Sequence, residues 1–334
     1  MHFITLFLLT VCLSIVSTSP EAVNRIRINV KRYVENEENY VLDSGEQIQF
    51  LSQKCLGETK KTLIWKGLFN DNNQVAVKFF TKADSFSLEK LAYETLGAIK
   101  NDEIERIGIP QIYYVGEIFN TSVIVMTLFD ESLHARWLDQ GKKFNINKIL
   151  HVFLQSVRSL EYIQSKGVVH NDIKPRNIFL RGEEVFVGDF DLATLNGENS
   201  NNNGTKHFAC KRYWDRKFSK PFKFRPPLLR NAMDDMESLV YTIWCIKGIK
   251  TFIPYGWVMS RIKKPNQRIA YVTRQCEHFK TYPAAKHACL FICIDEILSD
   301  RPIPDYKKTI ELLEKALDRL TKETEPSPPS YNNH

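Results

Sequence analysis

The sequence has no C-x-x-C pair, and structural zinc sites are built on thiolates at that spacing, so a zinc module is excluded. Beyond residue 16 it has no apolar run approaching the roughly 20 residues of a membrane-spanning helix. It has no internal repeats, which removes solenoids and propellers. Its first nineteen residues contain no Asp, Glu, Lys or Arg, so the net charge of +7 resides entirely in the remainder. That balance suits acidic or phosphorylated partners and is too small to point to nucleic acid.

What is present is a chain of 334 residues, 43 % apolar and 12 % aromatic, enough for one large bilobal domain or two ordinary ones. Residues 3–16 (FITLFLLTVCLSIV) form an uncharged apolar run followed by Ser17-Thr18-Ser19-Pro20. Its length fits the core of a signal peptide and is short for a membrane span, so residues 1–19 are expected to be a cleaved signal. An uncleaved anchor and a buried N-terminal helix are the alternatives. Secretory entry makes the expected location the pathway lumen or the outside of the cell, with no membrane span after signal removal. Cys12 leaves with the signal. Of the other six cysteines (Cys55, Cys210, Cys245, Cys276, Cys289 and Cys293), at most one or two pairs are expected to bridge. Cys289 and Cys293, four apart in a segment of helical character, suit a disulfide poorly. Asn120-Thr121-Ser122 and Asn203-Gly204-Thr205 are acceptor sequons for glycans in that compartment.

Residues 20–45, with Glu35-Asn36-Glu37-Glu38-Asn39 among them, are expected as a polar extension ahead of the folded domain. Gln47 to Gly57 and Thr62 to Gly67 read as strands joined through Glu58-Thr59-Lys60-Lys61. Val75-Ala76-Val77-Lys78-Phe79-Phe80 is a strand whose alternation puts Lys78 on the same face as Ala76. Ser85 to Lys100 has helical spacing in Leu88, Leu91, Leu96 and Ile99. Pro110 to Gly116 and Ser122 to Leu128 complete a five-stranded antiparallel sheet with one helix. Beyond residue 133 the chain turns helical, with a long amphipathic stretch from Ile146 to Lys166. Ile178-Phe179-Leu180 and Val185-Phe186-Val187 then form a hairpin. Further helices are expected from Asp234 to Ile246, over 285–297 and over 304–322, with 323–334 a disordered tail. Between them, Lys211 to Pro227 interleaves basic and aromatic residues, a composition that grips nucleic acid or a phosphorylated peptide, or simply packs on the surface.

The chemistry concentrates in His170-Asn171-Asp172-Ile173-Lys174-Pro175-Arg176-Asn177. An Asp, a Lys two residues later and an Asn five residues later can converge on one reacting phosphate. The Asp orients and deprotonates a hydroxyl, the Lys offsets charge on the transferring group, and the Asn holds a metal. The following hairpin leads to Gly188-Asp189-Phe190-Asp191 and so brings a second metal-binding side chain, Asp189, back to this loop.

These motifs resemble those of eukaryotic protein kinases. The loop is similar to H-R-D-x-K-x-x-N with Asn171 in place of Arg, the strand to V-A-I-K, and Asp189-Phe190-Asp191 to D-F-G. Gly204-Thr205-Lys206-His207-Phe208-Ala209 resembles the G-T-x-x-[FY]-A that ends the activation segment. Within the kinases, Glu161 to Gly167, Asp234 to Tyr241 and Val123 to Leu133 are similar to the casein kinase one family. The resemblance implies an α+β bilobal fold. Its N-lobe, residues 46–129, holds the small sheet and one main helix, and its larger, mainly helical C-lobe spans residues 130–322. It also implies transfer of the ATP γ-phosphoryl group, with Mg2+, to Ser or Thr of a protein substrate. Asp172 is then the base, Lys174 neutralises the transferring group, the Thr205 hydroxyl binds both, and Asn177 and Asp189 hold metal. Lys78 with Glu94 fixes the nucleotide, Glu89 being the alternative partner. Gly57, Ile64 and Ala76 belong to the nucleotide site, Met126 backs the adenine pocket and Leu128 offers backbone hydrogen bonds. Asp235 receives backbone N–H groups of the catalytic loop.

Four features depart from the family pattern. Only Gly57 remains of G-x-G-x-x-G-x-V, with Thr59 and Thr62 at the other glycine positions, so a looser grip on phosphate is expected. Asn171 lacks the charge that reads a phosphorylated activation loop, so activity is expected not to depend on such phosphorylation. Asp191 adds a carboxylate beside Asp189, which favours a second ion or Mn2+. The basic insertion replaces the usual substrate platform and suits acidic or pre-phosphorylated substrates. The expected function is a secreted or secretory-pathway Ser/Thr protein kinase. A pseudokinase acting as a binding or scaffold module is the alternative, and a small-molecule kinase comes third.

Overall fold

Alternation along three strands builds the first half of the protein. In the computed structural model, which describes residues 20–36, 39–51, 55–141, 143–195, 204–205, 208–210, 212–213, 229–247 and 304–324, β4 (Thr62–Phe69) and β5 (Asn73–Phe80) pair antiparallel along their whole length. β7 (Thr121–Thr127) adds on the far side of β5. The register sets Leu63, Phe79 and Val123 side by side, and next to them Trp65, Val77 and Val125. All six are essentially inaccessible. β1 (Asn39–Val41), β2 (Gln47–Phe50), the short β3 (Gly57–Glu58) and β6 (Ile112–Ile118) complete a seven-stranded sheet in the order β1-β2-β4-β5-β7-β6, with β3 paired to β4.

The apolar face of this sheet is covered by a helix where a polar extension was expected. Residues Pro20–Asn36 form α1, and its Val30 and Val34 join Leu42, Ile48, Trp65, Val77 and Val125 in one core. Pro20 suits a first helical turn, where no N–H partner is lost. Ile26, Val30 and Val34 recur at the four-residue spacing of one helix face. Segment 20–45 is therefore part of the folded sheet unit. Its β1 also extends the expected five strands, and β3 supplies the other added strand.

A second unit is mainly helical. The two units comprise Met1–Ser87 with Tyr113–Leu128, and Leu88–Ile112 with Phe129–His334. α2 (Ala83–Thr95) runs from the first into the second. The helical unit centres on α4 (Ile146–Ser165), whose Asn145 side chain caps it by accepting the Lys148 N–H at 2.8 Å. One stripe of α4, including Ile149, Phe153, Val157 and Leu160, is buried. α3 (Leu133–Asp139) precedes it, and α5 (Ala232–Lys247) and α6 (Tyr306–Thr324) pack against it.

Two small sheets frame the loop between α4 and α5. β10 (Ile178–Arg181) and β11 (Glu184–Val187) form the expected hairpin, and β8 (Glu131–Ser132) lies along β10. β9 (Val168–Val169) pairs with β12 (Thr194–Leu195). Gly108 fits between α4 and β11. Its φ is +80°, and a Cβ there would lie 2.5 Å from Ser159 Oγ and 2.7 Å from the Val185 carbonyl. The expected signal segment, the helix over 285–297, Cys276, Cys289, Cys293, Asn203, residues 325–334 and most of 211–227 lie outside the described residues. Cys55, Cys210 and Cys245, which are described, are free thiols. No described helix is long and apolar enough to cross a membrane.

Candidate active site

The loop after β9 is held at its base by one buried carboxylate. The His170 N–H donates to Asp235 Oδ2 at 2.6 Å and the Asn171 N–H to Asp235 Oδ1 at 2.8 Å. Asp235 sits in the first turn of α5, so a helix fixed by its own apolar core carries the anchor. Burial pushes the Asp235 carboxyl up to about 6, although His170 and the two amide donors pull the other way. His170 Nε2 donates to the Gly188 carbonyl at 3.0 Å, and its Nδ1 accepts the Asp172 N–H at 3.3 Å. One imidazole thus ties the loop to the chain just before Asp189.

Around Asp172 the expected catalytic residues converge. Lys174 Nζ lies 2.5 Å from Asp172 Oδ2 and donates to Thr205 Oγ1 at 3.0 Å. The Thr205 N–H donates to Asp172 Oδ1 at 2.6 Å. Gly204 permits this approach: its φ is +52°, and a Cβ would stand 2.4 Å from the Asn171 carbonyl oxygen. Asn177 Nδ2 donates to the Asp172 carbonyl at 3.0 Å and to its Oδ2 at 3.3 Å. A carboxylate gripped on both oxygens, beside a lysine and a hydroxyl, is arranged to orient an incoming hydroxyl and accept its proton.

The amide donation by Asn177 turns its Oδ1 away from Asp172 and leaves it as the acceptor for a cation. Asp189 is brought beside it by the hairpin register: Ile178 faces Val187, and the Gly188 N–H donates to the Asn177 carbonyl at 3.0 Å. An amide oxygen with a carboxylate is a hard oxygen donor set. It fits Mg2+ or Mn2+ and not zinc. Asp189 has φ +66°, a left-handed conformation that Asp tolerates better than most residues. Asp191 stands where D-F-G has glycine, yet it is absent from the left-handed positions, so the replacement carries no backbone strain of that kind. It is nearly buried.

Phe190 fixes the direction of this turn. Its ring lies 4.6 Å from that of His170 and 5.2 Å from that of Tyr93 on α2. Burial, with Glu89 and Asp189 nearby, pushes the Tyr93 phenol well above its usual range, so it stays neutral. The two acidic residues of α2 separate here. Glu94 is exposed and pairs with Lys90 at 3.7 Å, whereas Glu89 is wholly buried beside Tyr93. Glu89, held as the alternative, has the environment of a site residue, and Glu94 has that of a solvated surface charge.

The sheet unit gathers the remaining expected residues on the face opposite α1. Gly57 stands opposite Ile64, Ile64 opposite Lys78, and Ala76 opposite Met126, so all five share one side of the sheet. Lys78 is buried, with its ammonium 5.3 Å from the centre of the Phe80 ring. Leu128 follows the end of β7, half-buried.

Residues 50–215 match the family model of the protein kinase domain. The chain carries a protein kinase domain. The interferon-induced, double-stranded RNA-activated protein kinase of Rattus norvegicus is 39 % identical over 93 residues, which are 27 % of this chain and 18 % of that protein. A casein kinase I homolog of Kluyveromyces lactis is 30 % identical over 150 residues, 42 % of this chain and 27 % of the relative. The matches thus span less than a third of either relative's length. The solved structure of vaccinia related kinase 3 superposes with a TM-score of 0.64 at 14 % identity, covering 88 % of this chain and 96 % of that one, and shows the shared fold.

Within this kinase domain the two degenerate motifs have structural replacements. Asn171, in place of Arg, donates through Nδ2 to the Leu192 carbonyl and to Thr194 Oγ1, both at 2.9 Å. Its φ of +67° is one that Asn adopts readily. The loop between β3 and β4 is a tight hairpin in which Thr59 Oγ1 accepts the N–H groups of Lys61 and Thr62 at 3.1 and 3.0 Å. A side chain at Gly57 would meet only Ile64 Cδ1, at 3.8 Å, so this glycine is not conformationally required. Arg27, Lys31 and Glu58 also bear on this loop. Their motif-free sequence context gave no signal beyond the charge pattern itself.

Proposed function

We propose that the protein is an ATP- and Mg2+-dependent Ser/Thr protein kinase of the secretory pathway, acting without activation-loop phosphorylation. The observation that carries this reading is the convergence of Lys174, Thr205 and Asn177 on the two oxygens of Asp172. Asp172 takes the hydroxyl proton, Lys174 faces the charge that develops on the transferring phosphoryl group, and Thr205 holds the pair in register. Asn177 and Asp189 would hold the metal, which would supply charge to offset that of the phosphates, and Asp191 would favour Mn2+ as an alternative. Lys78, with Gly57, Ile64, Ala76, Met126 and Leu128, serves the nucleotide from the sheet unit. Glu89 takes the place first given to Glu94.

Independence from activation-loop phosphorylation is supported by the neutral clasp of Asn171 on Leu192 and Thr194, which needs no phosphate to form. Secretory entry is supported by the uncharged apolar run of residues 3–16, and glycans at Asn120 and Asn203 follow from it. The motifs at Glu161–Gly167 and Asp234–Tyr241 favour a casein kinase one-like protein substrate, acidic or pre-phosphorylated to suit the basic stretch 211–227.

Radiolabelled ATP with Mg2+ or Mn2+ and acidic or pre-phosphorylated protein substrates tests the reading. Wild type is expected to transfer label and Asp172→Ala to lose it. No transfer by wild type, with ATP and metal still raising Tm, favours the second reading, a pseudokinase scaffold, which the glycine-poor loop supports. An endoglycosidase shift of the natively expressed chain tests its location.

A further inference from the structure

A kinase loop that has lost its glycines requires another way to present a fixed shape and a favourable charge to phosphate. The hairpin tip is shaped from within by Thr59, whose N–H donates to the Thr62 carbonyl at 2.9 Å and whose hydroxyl lies 2.9 Å from that of Thr62. Thr81 fixes its base, donating its N–H to the Lys61 carbonyl at 2.8 Å and its hydroxyl to that of Lys60 at 3.2 Å. From outside, α1 engages the same tip. Arg27 Nη1 and Lys31 Nζ each lie 2.8 Å from a different oxygen of Glu58, and Arg27 Nη2 donates to the Thr59 carbonyl. Val30, between them in sequence, is buried in the sheet core, so the two cations project from an anchored helix.

Glu58 is the difficulty that this arrangement resolves. A carboxylate next to Gly57 repels a triphosphate. The Lys31 hydrogen bond, with the Lys31 and Arg27 charges, holds the Glu58 carboxyl below its usual range, so it is ionised at neutral pH. Two cations on one anion leave a net positive charge at the tip, to which Lys60 and Lys61 add. The fork of Arg27 also fixes the Thr59 carbonyl on the side facing α1.

We propose that α1 is a built-in brace for the phosphate-facing loop, with Arg27 and Lys31 acting as positioning residues for nucleotide binding. The inference rests on the kinase reading above. It places the compensation for the missing glycines in a segment outside the matched domain, residues 50–215.

The test uses the full chain and two readouts: ATP–Mg2+ affinity by titration, and amide exchange at Thr59, Lys61 and Thr62. Arg27→Ala is expected to raise the nucleotide Kd about fivefold and to accelerate exchange at the tip. Arg27→Lys, which keeps the charge but not the fork, is expected to recover part of the affinity. Adding Glu58→Gln to Arg27→Ala is expected to recover affinity without restoring slow exchange, because it removes the repelling charge and not the mobility. A general packing role for Arg27 predicts no such split. Wild-type affinity and exchange in Arg27→Ala overturn the brace alone. A wild type that binds no nucleotide overturns the kinase reading and this inference together.

Discussion

Asp235 accepts the His170 N–H through Oδ2 at 2.6 Å across 65 residues of sequence, so the loop His170 to Asn177 hangs from α5. The same carboxylate takes the Asn171 N–H, and its burial makes it a source of pH-dependent stability. Its pKa is raised on folding from 3.8 to about 6, so the folded state holds the proton more tightly than the unfolded one. This contribution is fully present below about pH 4 and is lost as pH rises through about 6. The stability of wild type relative to Asp235→Asn is expected to fall by about 3 kcal/mol between those limits, read from urea unfolding at matched pH. A difference that stays flat with pH contradicts the assignment.

Asn171 combines a left-handed backbone with two side-chain bonds, and two substitutions separate them. Asn171→Gly keeps the backbone at ease and loses both bonds, a cost of about 1–2 kcal/mol. Asn171→Ala adds about 1 kcal/mol for the left-handed residue. Chemical denaturation of both variants checks the order, and equal stabilities dismiss the strain.

Gly204→Ala is expected to displace Thr205 from Asp172, because the new methyl meets the Asn171 carbonyl oxygen at 2.4 Å. Phosphoryl transfer is expected to fall about a hundredfold through misplacement of the reacting groups. ATP-induced thermal stabilisation should persist, since the atoms nearest a Cβ at Gly204 belong to Asn171 and Asp172. Comparable rates in Gly204→Ala and wild type rule out a strict role for the Thr205 contact.

Glu89 and Glu94 offer a direct comparison on one helix. Glu94→Gln loses only an exposed pair with Lys90 and is expected to change stability by less than about 0.5 kcal/mol, with transfer rates near wild type. Glu89→Gln alters a wholly buried carboxylate beside Tyr93 and is expected to lower transfer at least about tenfold. Steady-state rates of the two variants decide between them, and the reverse order restores Glu94 to the site.

Local chemistry made much of the protein legible in its sequence. The loop His170 to Asn177, the strand carrying Lys78 and the hairpin to Asp189 each need particular residues at short fixed spacings, and such spacings survive in a one-dimensional chain. The anchoring of the loop by Asp235 was implied only by the resemblance to protein kinases, because nothing local to an acid opening an apolar helix names its partner. The choice between Glu89 and Glu94 was of a different kind. Five residues turn a helix by about 140° net, so only the packing of Tyr93 against Phe190 decides which acid faces inward.

The N-terminal segment shows the same division. Ile26, Val30 and Val34 carry a helical period, but the charges between them read equally well as a solvated extension. The apolar face of β4, β5 and β7 decides the matter, since a sheet face lined by Trp65, Val77 and Val125 has to be covered. The sequence by itself determined the spacing of the groups in the loop His170 to Asn177. Tertiary structure alone decided what meets the tip between β3 and β4, because Arg27, Lys31 and Glu58 come together only once α1 has buried its own apolar stripe.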